Sequence, residues 1–293
     1  MIGNTTETRA VLDLTVLIMA NNEELNIGNA LASVIGRVRD VIVVDSGSTD
    51  NTIEIAEGFG AQVYRHAAPC LSAQFDWILS ECEIATPWVF RLDADEIASP
   101  ELFTFLSGTL DGASSDVNGI AVQRRIVFMD RWMRFGGLCP NWEIRLWRRG
   151  YAAYERRSVD EHLVLASGRV VYASGHITDW NRKPLSAWLS KHIIYADREA
   201  REFSLGTFHV AEDSSSLPFE TRFRRWCKCS LYYRTPAFSR SVLFFVYRYV
   251  FRCGFLDGTE GLVFHVLQCF WYRFLVDVFI RIQSRTSMTS NSK

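Results

Sequence analysis

The chain has 293 residues, of which 48% are hydrophobic and 22% charged, with seven cysteines and a formal net charge of -1. That composition can bury a full core and excludes both intrinsic disorder and a small disulfide-stapled scaffold, leaving one large domain with an appendage. The cysteines (70, 82, 139, 227, 229, 253 and 269) are odd in number and scattered, which fits a reducing cytoplasm, and Met1 to Asp13 lacks the basic and apolar regions of a signal peptide. The near-zero charge hides an asymmetry. Arg222, Arg224, Arg225, Lys228, Arg234, Arg240, Arg248 and Arg252 share a stretch without an acid, so an anionic surface is expected against that end.

In chain order, Leu14–Ala20 and Val41–Val44 are continuous apolar runs, the pattern of strands buried on both faces. Between them, Ile27, Leu31, Val34, Ile35 and Val38 recur at helical spacing within 26–38, completing a β-α-β unit. The Asp45–Asp50 loop is rich in turn residues, and Asn51 with Glu54 predicts a capping box opening a helix to Gly58. A short strand over Ala61–Tyr64, a helix over Ser72–Glu83 and a strand over Trp88–Leu92 follow. This alternation predicts a mainly parallel sheet covered on both faces. Strand-like pieces follow over Gly119–Arg125 and Ile144–Arg148, then a helix over Leu185–Glu202 and a polar linker at 212–218. Arg222–Ile282 should form amphipathic helices, with Arg248, Arg252, Arg273 and Asp277 breaking every run long enough to span a membrane.

Asp93 and Asp95 follow a buried strand directly, and open parallel sheets bind ligands at the carboxyl ends of their strands. Two carboxylates one residue apart suit a hard cation, Mg²⁺ or Mn²⁺, bridging to a diphosphate, although an isolated Asp-x-Asp is also a common solvated loop. Asp45, Asn22 and Glu23 fall on the same rim and could bind a base and ribose; equally, Asn22 and Glu23 could cap a helix and Asp45 start a turn. His176 is a further possible ligand or a packed histidine, and Arg145 a phosphate clamp or a strand's solvated face. Asp160 and Glu161 are the acids that could accept a proton from an attacking hydroxyl.

The segments VLIMANNEELNI, VIVVDSGSTDNT and VFRLDADE resemble, in order, the nucleotide-binding half of family 2 glycosyltransferases, with Met19 and Asn21 in place of that family's usual Pro and Tyr. NWEIRLWRRG, DEHL, LSAWLSKHIIYADREA and the late aromatic segment resemble bacterial transferases that build lipopolysaccharide cores and exopolysaccharides. The resemblance implies that Glu23 and Asp45 contact the nucleotide, Asp93 lies near the ribose and diphosphate, Asp95 ligates the metal, and Glu161 is the base in preference to Asp160.

The expected architecture is α/β and GT-A-like, with a mainly parallel central sheet flanked by helices and a C-terminal helical appendage. Residues 1–211 would form the catalytic domain, with the nucleotide-sugar half over about 14–100 and the acceptor half over 101–211, and residues 212–293 the helical region. The expected activity is an inverting, single-addition, metal-dependent transfer of a sugar from a nucleotide diphosphate, with UDP the leading nucleotide. The expected acceptor is a glycolipid or lipid-linked saccharide of lipopolysaccharide or exopolysaccharide type. The enzyme would sit in the cytoplasm, peripheral at the inner face of the cytoplasmic membrane, with no nucleic-acid partner. A sugar nucleotidyltransferase should show a Gly-rich basic loop after its first strand, which ANNEELNI is not. A non-catalytic sugar- or membrane-binding module would not need Asp93, Asp95 and Glu161 together.

Overall fold

The computed structural model describes residues 11–68, 70–154, 163–204 and 235–290. The first half runs β1 (Leu12–Ala20), α1 (Ile27–Val34), β2 (Val38–Asp45), α2 (Thr52–Gly58), β3 (Gln62–Arg65), α3 (Leu71–Glu81) and β4 (Trp88–Asp93). It continues through β5 (Glu96–Ala98), α4 (Pro100–Thr109), β6 (Val117–Phe128), β7 (Arg131–Trp132), β8 (Trp142–Arg148), β9 (Ala152–Tyr154), β10 (Leu163–Leu165), β11 (Arg169–Asp179) and α5 (Leu185–Ser204). The large sheet has the order β3-β2-β1-β4-β8-β6-β11-β5, with β7 on β6 and β9–β10 as a separate pair. This is the GT-A-like α/β architecture expected. Parallel pairing holds throughout β3-β2-β1-β4, whereas β8 is antiparallel to both β4 and β6, and β5 to β11.

Side-chain alternation splits the core in two. Leu14, Val16 and Ile18 of β1 join Leu31 of α1 and Leu102, Phe103 and Leu106 of α4 on one face; Leu17 joins Phe75 and Ile78 of α3 on the other, with Trp147, Tyr154 and Leu163. Because β1 is covered on both faces, its sequence from Val16 to Ala20 is an unbroken apolar run. Truncating Leu17, which is fully buried, to Ala would cost about 2–5 kcal/mol.

Local signals explain where elements begin and end. The helix expected over 26–38 stops at Val34, because Gly36 takes φ 75° and Val38 already opens β2. Asn51 makes no side-chain cap for α2; Asp50 caps it instead, its Oδ1 accepting from the Thr52 amide at 3.0 Å. Helix α4 had no counterpart among the expected elements, yet Ser99 accepts the Leu102 amide at 3.3 Å and Pro100 opens the first turn, a capping pattern present in the sequence.

Beyond residue 234 the chain forms α6 (Ser239–Val246), continued by a π-helical turn to Phe251. A single helical stretch follows from Gly254 to Ser284, containing α7 (Gly258–His265) and most of α8 (Tyr272–Ser290). At 31 residues and mean hydropathy 1.4 it is long and apolar enough to cross a membrane by length and composition, and 33% of its most apolar window is buried. Arg273 and Asp277 therefore do not interrupt it. Asp277 is 1% exposed and pairs with buried Arg240 of α6, also accepting the Phe238 amide at 2.7 Å, while Arg273 reaches Glu199 of α5 at 2.8 Å. Ala196 of α5 packs against Tyr272 and Val276, fixing the helical region on the catalytic domain. The 212–218 linker, the Arg222–Trp226 segment, Cys227 and Cys229 lie outside the described residues.

Candidate functional site

The register of the parallel strands builds the site. Ala20 of β1 is level with Asp45 of β2, and Met19 with Asp93 of β4, so the loops after all three strands leave one rim. The first two loops are interlocked by side chains. The Asn22 amide donates to Ser48 Oγ at 2.7 Å, Asn22 Oδ1 accepts from the Thr49 amide at 2.8 Å, and the Glu23 amide donates to Thr52 Oγ1 at 2.7 Å. Asn22 has φ 53°, a left-handed conformation that asparagine tolerates. Asp45, 1% exposed, accepts from the amides of Gly47 and Ser48 at 2.9 and 2.8 Å and from the Ser48 hydroxyl, so its carboxylate shapes the turn.

Under the third loop lies a buried charge cluster in which the carboxylates of Asp93, Asp95, Glu96, Glu143 and Asp179 meet the guanidiniums of Arg91, Arg124 and Arg145. Arg91 grips Asp93 at 2.8 Å, and Arg145 approaches it at 3.4 Å. Burial works against the Asp93 charge, but Arg91, Arg145 and Arg124 outweigh it and hold its pKa far below the carboxylate range. Arg145 is itself 2% exposed and bonded to Glu96 at 2.6 Å and Glu143 at 3.0 Å. That makes it a counter-ion beneath the rim, in place of the phosphate clamp expected. Burial lifts the Glu96 pKa to about 8, against Arg145, and that of Asp179 to about 6, against Arg124.

Asp95 differs from Asp93. Burial and the neighbouring Asp93 charge both raise its pKa, and its hydrogen-bonding neighbour is the Asn181 amide group, 3.0 Å from Oδ2. Behind it, Lys183 reaches Glu23 at 2.6 Å, Asn26 holds the other Glu23 oxygen at 2.7 Å, and the Lys191 ammonium feels both Asp95 and Glu23. His176 is placed apart from this pair: its ring is 3.2 Å from Arg125, and its amide donates to Ser99. Among the described residues no group of three or more His, Cys, Asp or Glu side chains is arranged to hold a metal. Of the Asp-x-Asp pair, Asp95 offers a hard carboxylate oxygen that is not paired with an arginine, the donor chemistry a hard cation would take. Asp160 and Glu161 lie outside the described residues.

Asn181, Lys183, Lys191, Arg91, Arg124 and Asp179 went unrecognised in the sequence. Lys183 meets Glu23 across 160 positions, and no local spacing signals such a pair. A strand-length reading of Arg169–Asp179 would have placed Asp179 and its successors at the rim, since Asp179 pairs with Glu96 and the Trp180 amide donates to the Asp95 carbonyl.

Fold and rim together define an α/β domain whose β1, β2 and β4 loops meet on one edge of the sheet. The family model described as glycosyl transferase family 2 matches residues 15–169, more than half of the sequence, and the chain belongs to that family. It is similar to an uncharacterized glycosyltransferase of Rickettsia felis, 39% identical over 89 residues that make up 30% of this chain and 31% of that one. It is also similar to the lipopolysaccharide core biosynthesis glycosyltransferase LpsC of Rhizobium meliloti, 28% identical over 54% of this chain and 59% of that protein. The chain thus spans less than two thirds of the length of these relatives. Among solved structures, glucosyl-3-phosphoglycerate synthase of Mycobacterium tuberculosis, in complex with Mn²⁺, UDP and glucosyl-3-phosphoglycerate, is 26% identical over 39% of this chain and 43% of that one, with a TM-score of 0.32.

Proposed function

We propose that the chain is an inverting, metal-dependent glycosyltransferase that adds one sugar from a nucleoside diphosphate, UDP in the first instance, to a lipid-linked or lipopolysaccharide-type acceptor. The observation that carries this reading is the single rim shared by the loops after β1, β2 and β4, where Asp95 alone of the Asp-x-Asp pair is not gripped by an arginine. In this reading Asn22, Glu23 and the Asp45 turn receive the nucleoside, and Asp93, locked by Arg91, fixes the loop that presents Asp95. Asp95 would hold Mg²⁺ or Mn²⁺, and a cation there would supply positive charge for the departing diphosphate. Lys183 and Lys191, already drawn to Glu23 and Asp95, lie where added phosphate charge would be met by cations. His176 has no part in this reading, because its partners are Arg125 and Ser99.

Glu161, or Asp160 beside it, takes the acceptor's proton as the hydroxyl attacks the anomeric carbon. The acceptor class draws support from the likeness to LpsC, and the place of action follows from it: the cytoplasmic face of a membrane. The deciding experiment screens UDP-, GDP- and TDP-sugars with and without Mn²⁺ by thermal shift, then measures donor hydrolysis and transfer. Stabilisation by one nucleotide sugar, dependent on Mn²⁺ or Mg²⁺, is expected. Full turnover in excess EDTA would remove the metal, and equal turnover of Glu161→Gln and wild type alongside a dead Asp160→Asn would move the base to Asp160.

A further inference from the structure

The outer end of the helical region carries a surface that the donor site does not use. Ser239–Phe251 and Gly258–Trp271 lie side by side as a helical hairpin, reversed at Arg252 and Cys253 and entering its second arm through a 3-10 turn over Gly254–Asp257. On that tip Tyr247, Val250, Phe251, Phe255 and Leu256 are 47–74% exposed, and Phe135 from the adjoining loop is 37% exposed. Contiguous apolar exposure of this kind marks a surface that is covered in use.

The charges say by what. Residues 235–284 contain three acids, and each is used internally. Asp257, 1% exposed, accepts from the amides of Arg134 and Phe135 at 3.1 and 2.9 Å; Asp277 is paired with Arg240; Glu260 holds Arg131 at 3.3 Å. The exposed cations beside the tip are Arg131, which faces part-exposed Glu260, and Arg134 and Arg252. The tip therefore shows aromatic and aliphatic groups with cations among them, the pattern of an element lying in an anionic lipid interface.

The tip is also rigidly joined to the catalytic sheet. His265 is fully buried between Gly136 and Gly254, where an added Cβ would come within 1.9 and 2.8 Å of its Nε2. The loop it clamps follows β7, which pairs with the end of β6, the strand that brings Arg124 to Asp179 at 2.6 Å beside the rim.

We propose that this hairpin tip docks in the interfacial layer of an anionic bilayer, Phe251, Phe255 and Leu256 entering the acyl boundary and Arg134 and Arg252 meeting lipid phosphates. This rests on the membrane-bound acceptor of the proposed function and assigns the surface that meets the membrane. It also redraws the sequence-level expectation, since Arg240 is consumed in a buried pair.

The test is co-sedimentation of the full chain with phosphatidylcholine vesicles, with and without phosphatidylglycerol. Wild type should bind only the mixed vesicles and less at high salt. Phe251→Glu combined with Leu256→Glu should lower partition about ten-fold or more, whereas Leu79→Glu on α3, 40% exposed, should leave it unchanged. Arg134→Glu combined with Arg252→Glu keeps the apolar tip and should lower it about five-fold per residue. Equal binding of the tip variants and wild type overturns the proposal, as does equal binding to both vesicle types or to neither. Loss in the tip variant of a concentration-dependent dimer would likewise overturn it by assigning the surface to a second copy. Donor hydrolysis without lipid separates the two readings: wild type without hydrolysis but with this vesicle pattern sinks the transferase assignment and leaves the docking surface standing.

Discussion

The rim at the ends of β1, β2 and β4 and the helical region both enclose carboxylates, but they balance them differently. Around Asp93 five carboxylates face three guanidiniums, and Asp95 is left with an amide neighbour and a raised pKa. In the helical region Asp277, Asp257 and Glu260 each have a dedicated internal partner. The first arrangement leaves a carboxylate outside the arginine pairs, the position the proposed function gives to the metal-holding group; the second ties each carboxylate to a partner that holds structure together.

Mutations can break that contrast. The largest effect is expected at Asp277, where Asp277→Ala removes the buried carboxylate that meets Arg240 and the Phe238 amide and should cost about 3–5 kcal/mol in denaturant unfolding. Arg240→Met with Asp277→Leu should recover most of that loss. If the single and double variants are equally unstable, the pair is not the source of the stability.

Asp95→Asn should do the opposite, lowering kcat about 10²- to 10³-fold while the melting temperature stays near that of wild type. A variant that melts much earlier would place Asp95 with the structural carboxylates. Lys183→Ala, which releases Glu23, should raise the donor KM about ten-fold with a smaller change in kcat, as expected if it lies on the phosphate path. An unchanged KM would confine Lys183 to positioning Glu23. The smallest effect is expected for Ser48→Ala, which removes one bond to Asp45 and one from the Asn22 amide and should cost about 1 kcal/mol, read as a modest drop in melting temperature.

What the sequence made legible follows from the same physics. Strands β1, β2 and β4 were readable because strands buried on both faces are continuous apolar runs, and Asp93 and Asp95 were readable because they follow one directly. Strand β11 was missed because its sequence mixes polar and apolar residues; its terminal Asp179 is made tolerable in the interior by Arg124, 55 positions away. Arg273 and Asp277 read as interruptions for the same reason, since their partners Glu199 and Arg240 lie on other helices. Helix α1 was overextended because Ile35 and Val38 keep the apolar spacing past Gly36. The roles of Asn181, Lys183 and Lys191 required the sheet to be assembled first.

The interlocking of the loops after β1 and β2 has a consequence for how a nucleotide arrives. Asn22, Glu23, Ser48, Thr49 and Thr52 are tied to one another by their own side chains and amides. Binding at that rim therefore loses little conformational entropy. For the nucleotide proposed above, these two loops should add no slow phase to association and no heat-capacity change of their own.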